Sequence, residues 1–254
     1  MYMPVYDQVH ELPRVLDELA RTKLPCDELL LVDNGSTDGS ERLVRASGWP
    51  HLRVERNRGC GLSNMLALDW ALARGFDAFG TMASNGKMLP AEMHRIVEPL
   101  ARGAADYVTG SRFLAGGESP NLPAFRRSAI PLVNRFARLA TGASLTDATC
   151  GYRAYTLELV RRAEFDWHAP WLYGYAMEYY LYAKALLAPG LRCIEVPITM
   201  RYPANPKRAS KIRPGRHWYQ MLKPWVVARL DGRGLGPAAR GASGDPSSAA
   251  EGGR

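Results

Sequence analysis

Leu29–Ser40, LLLVDNGSTDGS, is the stretch that decides the fold of this chain. From Leu29 to Val32 it is continuously apolar, which predicts a strand buried on both faces, as in a parallel sheet. It stops at Asp33 and Asn34 and gives way to a loop rich in Gly, Ser and Asp. Residues just past the carboxyl end of such a strand stand where open α/β sheets bind ligands. A carboxylate there accepts hydrogen bonds from a base or ribose, and Gly35 and Gly39 admit close backbone approach. The plain alternative for Asp33 is a turn or helix cap.

Outward from this strand, the first half alternates between strand and helix. Tyr2–Tyr6 reads as a short first strand, and Val9, Leu12, Val15, Leu16 and Leu19 have helical spacing. Helices are predicted near 39–46 and over 61–74, and strands near 51–55, 76–82 and 105–110. A further helix runs from Pro90 to about Leu100, with Pro90 suited to its first turn. Such alternation predicts an α/β fold, a Rossmann-like, mostly parallel central sheet flanked by helices with right-handed crossovers. After Ser111 the pattern loosens. A Gly/Pro-rich loop over 113–124 precedes a helix at 128–140, a turn region at 141–151, a helix at 173–187 and a strand at 193–200. Trp218–Leu230 predicts a C-terminal amphipathic helix whose Trp and Tyr suit an interface. Residues 1–230 read as one folded domain. Residues 231–254, Gly-, Ala- and Ser-rich without apolar periodicity, read as a disordered tail. The chain begins almost inside its first predicted strand.

With 254 residues the chain is long enough to bury a full core. No apolar run reaches the ~18 residues a membrane span needs. The four cysteines, Cys26, Cys60, Cys150 and Cys193, are far apart and show no metal-ligand spacing, so reduced thiols in a cytoplasmic protein are expected. Charge is unevenly placed. Between Val196 and Leu230 lie eight Lys and Arg and no Asp or Glu, a local excess equal to the net +8 of the whole chain. A solvated face would explain a charge run. Here the cations are interleaved with Tyr202, Trp218, Tyr219, Met221 and Trp225, which suits a phosphate site or an anionic membrane surface better. No nucleic-acid-binding module is present, so no nucleic acid partner is expected.

Taken in order, MPVYDQ, LVDNGSTDGS, NRGCG, GSRF, PAFRR, TDATCGYRAY, EVPITMRY and SKIRPGRHW resemble a family 2 glycosyltransferase of the GT-A fold. The likeness is greatest to dolichyl- and polyprenyl-phosphate mannosyl- and glucosyltransferases, and it runs from about Met3 to Leu230. It implies that Pro4, Tyr6 and Asp33 line a nucleotide pocket; Asp7, Gln8 and Asn34 depart from the family's usual residues there. The family's Met-Asp-Ala-Asp, whose carboxylates hold Mg²⁺ or Mn²⁺ against the donor diphosphate, is matched by Thr81–Pro90, TMASNGKMLP. Ala83 and Asn85 stand at the two carboxylate positions, so no tightly bound metal is expected. Mg²⁺ is a hard cation that favours carboxylates, phosphates and water. Lys87 is the candidate for the missing positive charge, since a cation ~4 Å from a phosphate oxygen is worth about 4 kcal/mol before desolvation. Asn85 and Gly86 read equally well as a turn carrying an exposed lysine.

The resemblance further implies that Arg112 and Arg126 grip an acceptor phosphate, for which the planar guanidinium fork is suited. Ile130 replaces a family serine. Asp147 and Arg153 match a segment beside the acceptor, though an Asp–Arg pair also serves to lock a loop. Glu178 matches a glutamate facing the same cavity. Arg201, Ser210 and Lys211 match a segment that clamps the donor diphosphate. The expected function is inverting transfer of a hexose from a nucleoside diphosphate sugar to a polyprenyl phosphate, by a cytoplasmic protein peripheral at the inner membrane face. The C-terminal basic helix would dock it on anionic lipid. A phosphate acceptor needs no general base; a hydroxyl acceptor does, and Asp147 is the candidate. The alternatives are a family 2 enzyme acting on a small-molecule or cell-wall precursor hydroxyl, and an inactive nucleotide-sugar-binding homologue.

Overall fold

The computed structural model describes residues 1–203 and 216–231. Its centre is a seven-stranded sheet: β1 (Tyr2–Val5), β2 (Leu30–Asn34), β3 (His51–Val54), β4 (Ala78–Thr81), β5 (Tyr107–Ser111), β6 (Arg153–Thr156) and β7 (Cys193–Pro197), in the order β3-β2-β1-β4-β6-β5-β7. All neighbours are parallel except β6, which runs antiparallel to both β4 and β5. The helices are α1 (Leu12–Ala20), α2 (Ser40–Ala46), α3 (Cys60–Ala73), α4 (Met93–Ala101), α5 (Ala124–Thr141), α6 (Glu158–Arg161), α7 (Ala176–Leu187) and α8 (Arg216–Leu230).

The apolar run in β2 does what its composition requires. Leu30 and Val32 join the core beneath α3 and α7, while Leu29 and Leu31 join the core beneath α1 and α4. Opposite faces of one strand are thus both buried, as period-2 side-chain alternation dictates. A row of rings, Tyr2, Phe79, Tyr155, Tyr107 and Tyr182, runs across the α7 face with successive centroids 5.0–5.7 Å apart.

Three elements differ from expectation. Strand β6 is absent from the sequence reading. Its four residues carry no pattern of their own, and it exists because β4 and β5 pair with it on both sides, Phe79 and Tyr107 both in register with Tyr155. Helix α5 starts at Ala124, four residues earlier than predicted, after Pro123 with its extended backbone, and this puts Arg126 on a helix rather than in a loop. Helix α8 turns much of its predicted interface inward: Trp225 is fully buried, packed on Tyr179 and Tyr182 of α7. Asp231 pins the end of that helix, its carbonyl accepting from Lys184 Nζ at 2.6 Å and its carboxylate from Tyr180 at 2.7 Å. Among the described residues no helix is long and apolar enough to cross a membrane. Ser210, Lys211 and the tail from Gly232 lie outside the described residues.

Candidate active site

The carboxyl ends of β1, β2 and β4 meet at one rim, where the sheet's parallel half delivers its loops. Two of these loops are stitched together by side chains. Asp7 N donates to Ser36 Oγ at 3.1 Å, Gln8 N to Ser40 Oγ at 2.7 Å, Val9 N to Asp38 at 2.9 Å and Thr37 N to Asp7 at 2.9 Å. Asp38 titrates below the usual carboxylate range: partial burial opposes this, and the bonds from Ser40 and Val9 outweigh it. Gly35 has φ 72°, and a Cβ there would lie 2.7 Å from Asn57 N, so the β2 and β3 loops touch because this residue is glycine. Asp33 is buried at the end of β2, accepting from Arg53 Nη1 at 2.8 Å and from Ser36 N at 3.2 Å. In this conformation it caps the turn, the plainer of the two expected roles. Tyr6 is half-buried on the loop after β1.

The loop after β4 is a closed turn. Ser84 Oγ donates to the Pro4 carbonyl at 2.6 Å, tying it to β1, and Asn85 Oδ1 accepts from Lys87 N at 3.2 Å. Arg201 N donates to the Lys87 carbonyl at 2.8 Å, and Arg14 Nη2 of α1 to the Gly86 carbonyl at 3.2 Å. Glu18 accepts from Arg14 at 2.6 Å and lies 3.8 Å from Arg201 Nη1. Lys87, Arg201 and Arg14 therefore converge on this turn. The Mg²⁺ or Mn²⁺ that the resemblance implies does not fit this donor set. Ala83 has no side-chain oxygen, Ser84 and Asn85 offer only neutral oxygens, and the carboxylates beside the turn, Glu11 and Glu18, face Arg14 and Arg201.

Past β5, Arg112 and Asp147 form a buried pair. Arg112 Nε and Nη2 each donate to the Asp147 carboxylate at 2.7 Å, and the Arg112 backbone N adds a bond at 3.2 Å. The other guanidinium donors go to Tyr202 Oη at 2.5 Å, to Met200 Sδ at 3.7 Å and to Thr149 Oγ1. All five guanidinium N–H groups are thereby committed. Burial opposes the charge on Arg112, and the carboxylate beside it overcomes this and raises its pKa. In this conformation the donors of Arg112, expected at an acceptor phosphate, are engaged within the protein, and Asp147, the candidate base, is fully buried and holds Arg112 and Thr149. The loop is indeed locked by an Asp–Arg pair, but the arginine is Arg112; Arg153 instead donates to the carbonyls of Ala148, Cys150 and Glu178. Glu195 on β7 completes the lock, accepting from Thr146 N at 2.6 Å and Asp147 N at 2.8 Å.

Tyr202 joins the two halves of the site. Its hydroxyl meets Arg112, while Lys87 Nζ lies 5.3 Å and the Arg126 guanidinium 5.7 Å from its ring centroid. Within ~6 Å such contacts are attractive. Arg126, on the first turn of α5, also lines a small apolar groove against α8, whose walls include Phe125, Ile130, Val133, Met221 and Leu222. Thr149, bonded to the buried pair, is the groove's other polar member. Glu178, partly buried on α7, lies 3.6 Å from where a Gly151 Cβ would be. Burial raises its pKa, with Arg153 pulling the other way.

Sequence reading missed Arg14, Glu18, Arg53, Glu195 and the joining role of Tyr202. Arg14 and Glu18 look like any exposed i,i+4 helix pair; Tyr202, adjacent to Arg201 in its motif, gave the one usable signal. A larger cleft of about 890 Å³ opens at the amino edge of the sheet around Met1, Glu28, Trp70, Arg74 and Asp77, and none of the expected site residues lines it.

A mostly parallel sheet with cations gathered on the loops at its carboxyl rim is the frame to which the comparisons apply. Residues 1–163 match the Glycosyl transferase family 2 model, and the chain belongs to that family and is a glycosyltransferase. It is 32% identical over 202 residues to an undecaprenyl-phosphate mannosyltransferase of Micrococcus luteus, covering 78% of this chain and 81% of that one. It is 30% identical over 203 residues to a polyprenol monophosphomannose synthase of Mycolicibacterium smegmatis, covering 78% and 75%. In fold it is similar to glucosyl-3-phosphoglycerate synthase from Mycobacterium tuberculosis, solved with UDP, at a TM-score of 0.62 and 22% identity over 90% of this chain and 77% of that one. The GT-A fold expected from the sequence is the fold found.

Proposed function

We propose that this glycosyltransferase moves a hexose from a nucleoside diphosphate sugar to a polyprenyl phosphate at the cytosolic face of a membrane. The observation that carries the acceptor assignment is the groove between α5 and α8: apolar walls, with Arg126 and Thr149 as its polar members. An isoprenoid tail suits the walls, and a phosphate suits the arginine. Ile130, which stands where relatives are expected to have serine, is one of those walls. The relatives named for polyprenyl and undecaprenyl phosphate support the same acceptor.

A lipid monophosphate, with its second pKa near 6, is largely ionised at neutral pH. Its oxygen attacks the anomeric carbon from the face opposite the diphosphate. The new C–O bond forms as the bond to the diphosphate oxygen breaks, the nucleoside diphosphate leaves with the electron pair, and the configuration inverts. No base is required, which agrees with the commitment of Asp147 to Arg112. Arg126 positions the nucleophile; Arg112, Asp147 and Glu195 fix the loop and the Tyr202 ring against which Arg126 and Lys87 rest.

Docking is supported by a face built from two helices rather than one. On α5, Phe125, Leu132 and Leu139 are exposed at seven-residue intervals, beside exposed Arg127, Arg135 and Arg138. On α8, Tyr219, Val226 and Leu230 are exposed. Apolar stripes flanked by cations suit an anionic lipid surface. The test offers the purified chain GDP-mannose and UDP-glucose with undecaprenyl phosphate in detergent. Sugar appearing in the lipid phase is the expected result; transfer confined to water-soluble hydroxyl acceptors would overturn the assignment.

A further inference from the structure

The turn after β4 lacks metal ligands and is ringed by positive charge, and these two facts have one explanation. We propose that the donor diphosphate is held by protein cations alone, Lys87 together with Arg201, so that sugar transfer by this chain needs no divalent ion. The proposal rests on the nucleotide-sugar donor assigned above and goes beyond it by naming what neutralises the leaving group.

The geometry is that of a preorganised cradle rather than a loose charged loop. The turn's own hydrogen bonds hold it shut, through Asn85 to Lys87 N and Ser84 to Pro4. Its carbonyls are gripped by Arg14 and by the Arg201 backbone. Gly86, at φ 68°, is shaped for this: a Cβ there would collide with the Arg14 guanidinium. Glu18 accepts from Arg14 and faces Arg201, bridging two arginines that would otherwise repel, and Glu11 lies 3.6 Å from Arg14 on its other side. Lys87 rests over the Tyr202 ring, the same ring that Arg126 approaches from the acceptor groove. Positive charge is thus placed between the diphosphate and the acceptor phosphate, where the departing group gathers its electrons. Cations fixed before the reaction stabilise that developing charge without reorganising during it. Arg14 and Glu18 enter as positioning residues, since they act through the turn and through Arg201.

Isothermal titration of the full chain with GDP and with UDP, in EDTA and in Mn²⁺, tests this without an acceptor. One of the two nucleotides is expected to bind with an affinity that differs by less than about twofold between the two conditions. Lys87→Ala is expected to weaken that binding roughly tenfold or more while the corresponding nucleoside monophosphate loses much less. Glu18→Gln is expected to narrow the same diphosphate-to-monophosphate ratio with Tm unchanged, which a merely structural residue would not do. Binding abolished by EDTA and restored by Mn²⁺ overturns the proposal and leaves the glycosyltransferase reading intact. So does a Lys87→Ala chain that binds the nucleotide as well as the parent. Failure of both nucleotides in both conditions would overturn the donor site itself, a separate result.

Discussion

The two sets of cations that meet at Tyr202 are built on opposite principles. Arg112 is buried, and its five N–H groups are committed to Asp147, Thr149, Met200 and the Tyr202 hydroxyl. Lys87 and Arg126 lie only partly buried against the ring of the same tyrosine, one on the turn after β4 and the other beside the apolar groove. Residue type and the family resemblance made Arg112 and Arg126 look equivalent. Their surroundings separate them: the Arg112 guanidinium is enclosed by the protein groups it donates to, whereas Arg126 lines the apolar groove where the acceptor is proposed to lie.

That division is broken most directly by substituting the buried member. Arg112→Ala leaves the Asp147 carboxylate buried with its main partner gone, and breaking such a pair costs about 3–5 kcal/mol. Urea denaturation is expected to show that loss. Arg126→Ala is expected to change stability by less than about 1 kcal/mol while raising the KM for the lipid acceptor. The reverse pattern, a stable Arg112→Ala chain with weakened acceptor binding, would put Arg112 back at the phosphate.

Helix α8 contains the same contrast in apolar form. Trp225 is fully buried against α7, whereas Tyr219, Val226 and Leu230 are exposed. Trp225→Ala is expected to destabilise the chain by about 3–4 kcal/mol through the cavity it leaves. Val226→Asp is expected to leave Tm nearly unchanged and to weaken co-sedimentation with anionic vesicles, an effect that added salt should mimic. If Val226→Asp sedimented as the parent does, the outward face would not be a docking face.

These contrasts mark where the sequence was legible. The strand over 28–32, the alternating first half and the motif order led to the fold and family, because a continuous apolar run and a βα rhythm are local signals. Strand β6 was not legible, since Arg153–Thr156 is held by pairing on both sides and encodes nothing alone. The candidate residues were found as positions, yet their roles were not. Whether Asp147 faces a ligand or Arg112 depends on a contact 35 residues away, and Arg14 reaches Gly86 across 72 residues. Such long-range pairings have no periodicity to read.

Tyr202→Phe separates the two functions of the joining residue. It removes the oxygen that accepts from Arg112 Nη1 at 2.5 Å and keeps the ring under Lys87 and Arg126. A lost hydrogen bond to a charged donor costs about 1.5–3 kcal/mol. Stability is expected to fall by about that much with kcat little changed, and a large kcat loss at unchanged stability would instead place the hydroxyl in the chemistry.

The smallest effect concerns the carboxylate that, unlike Asp147, is not committed to a guanidinium fork. Burial raises the pKa of Glu178 above its ordinary 4.5, against the pull of Arg153. The folded chain therefore binds this proton more tightly than the unfolded chain does. Between pH 4.5 and the raised value, the native state carries more protons, so stability falls as pH rises through that window. Above the window the ionised carboxylate is a standing burden on the fold. Glu178→Gln removes it, and is expected to raise stability at neutral pH and to give no gain below pH 4.5, as read by urea denaturation at the two ends. A loss of stability at neutral pH would mean that the ionised carboxylate is held by a partner as Asp147 is, and the contrast between the two acids would disappear.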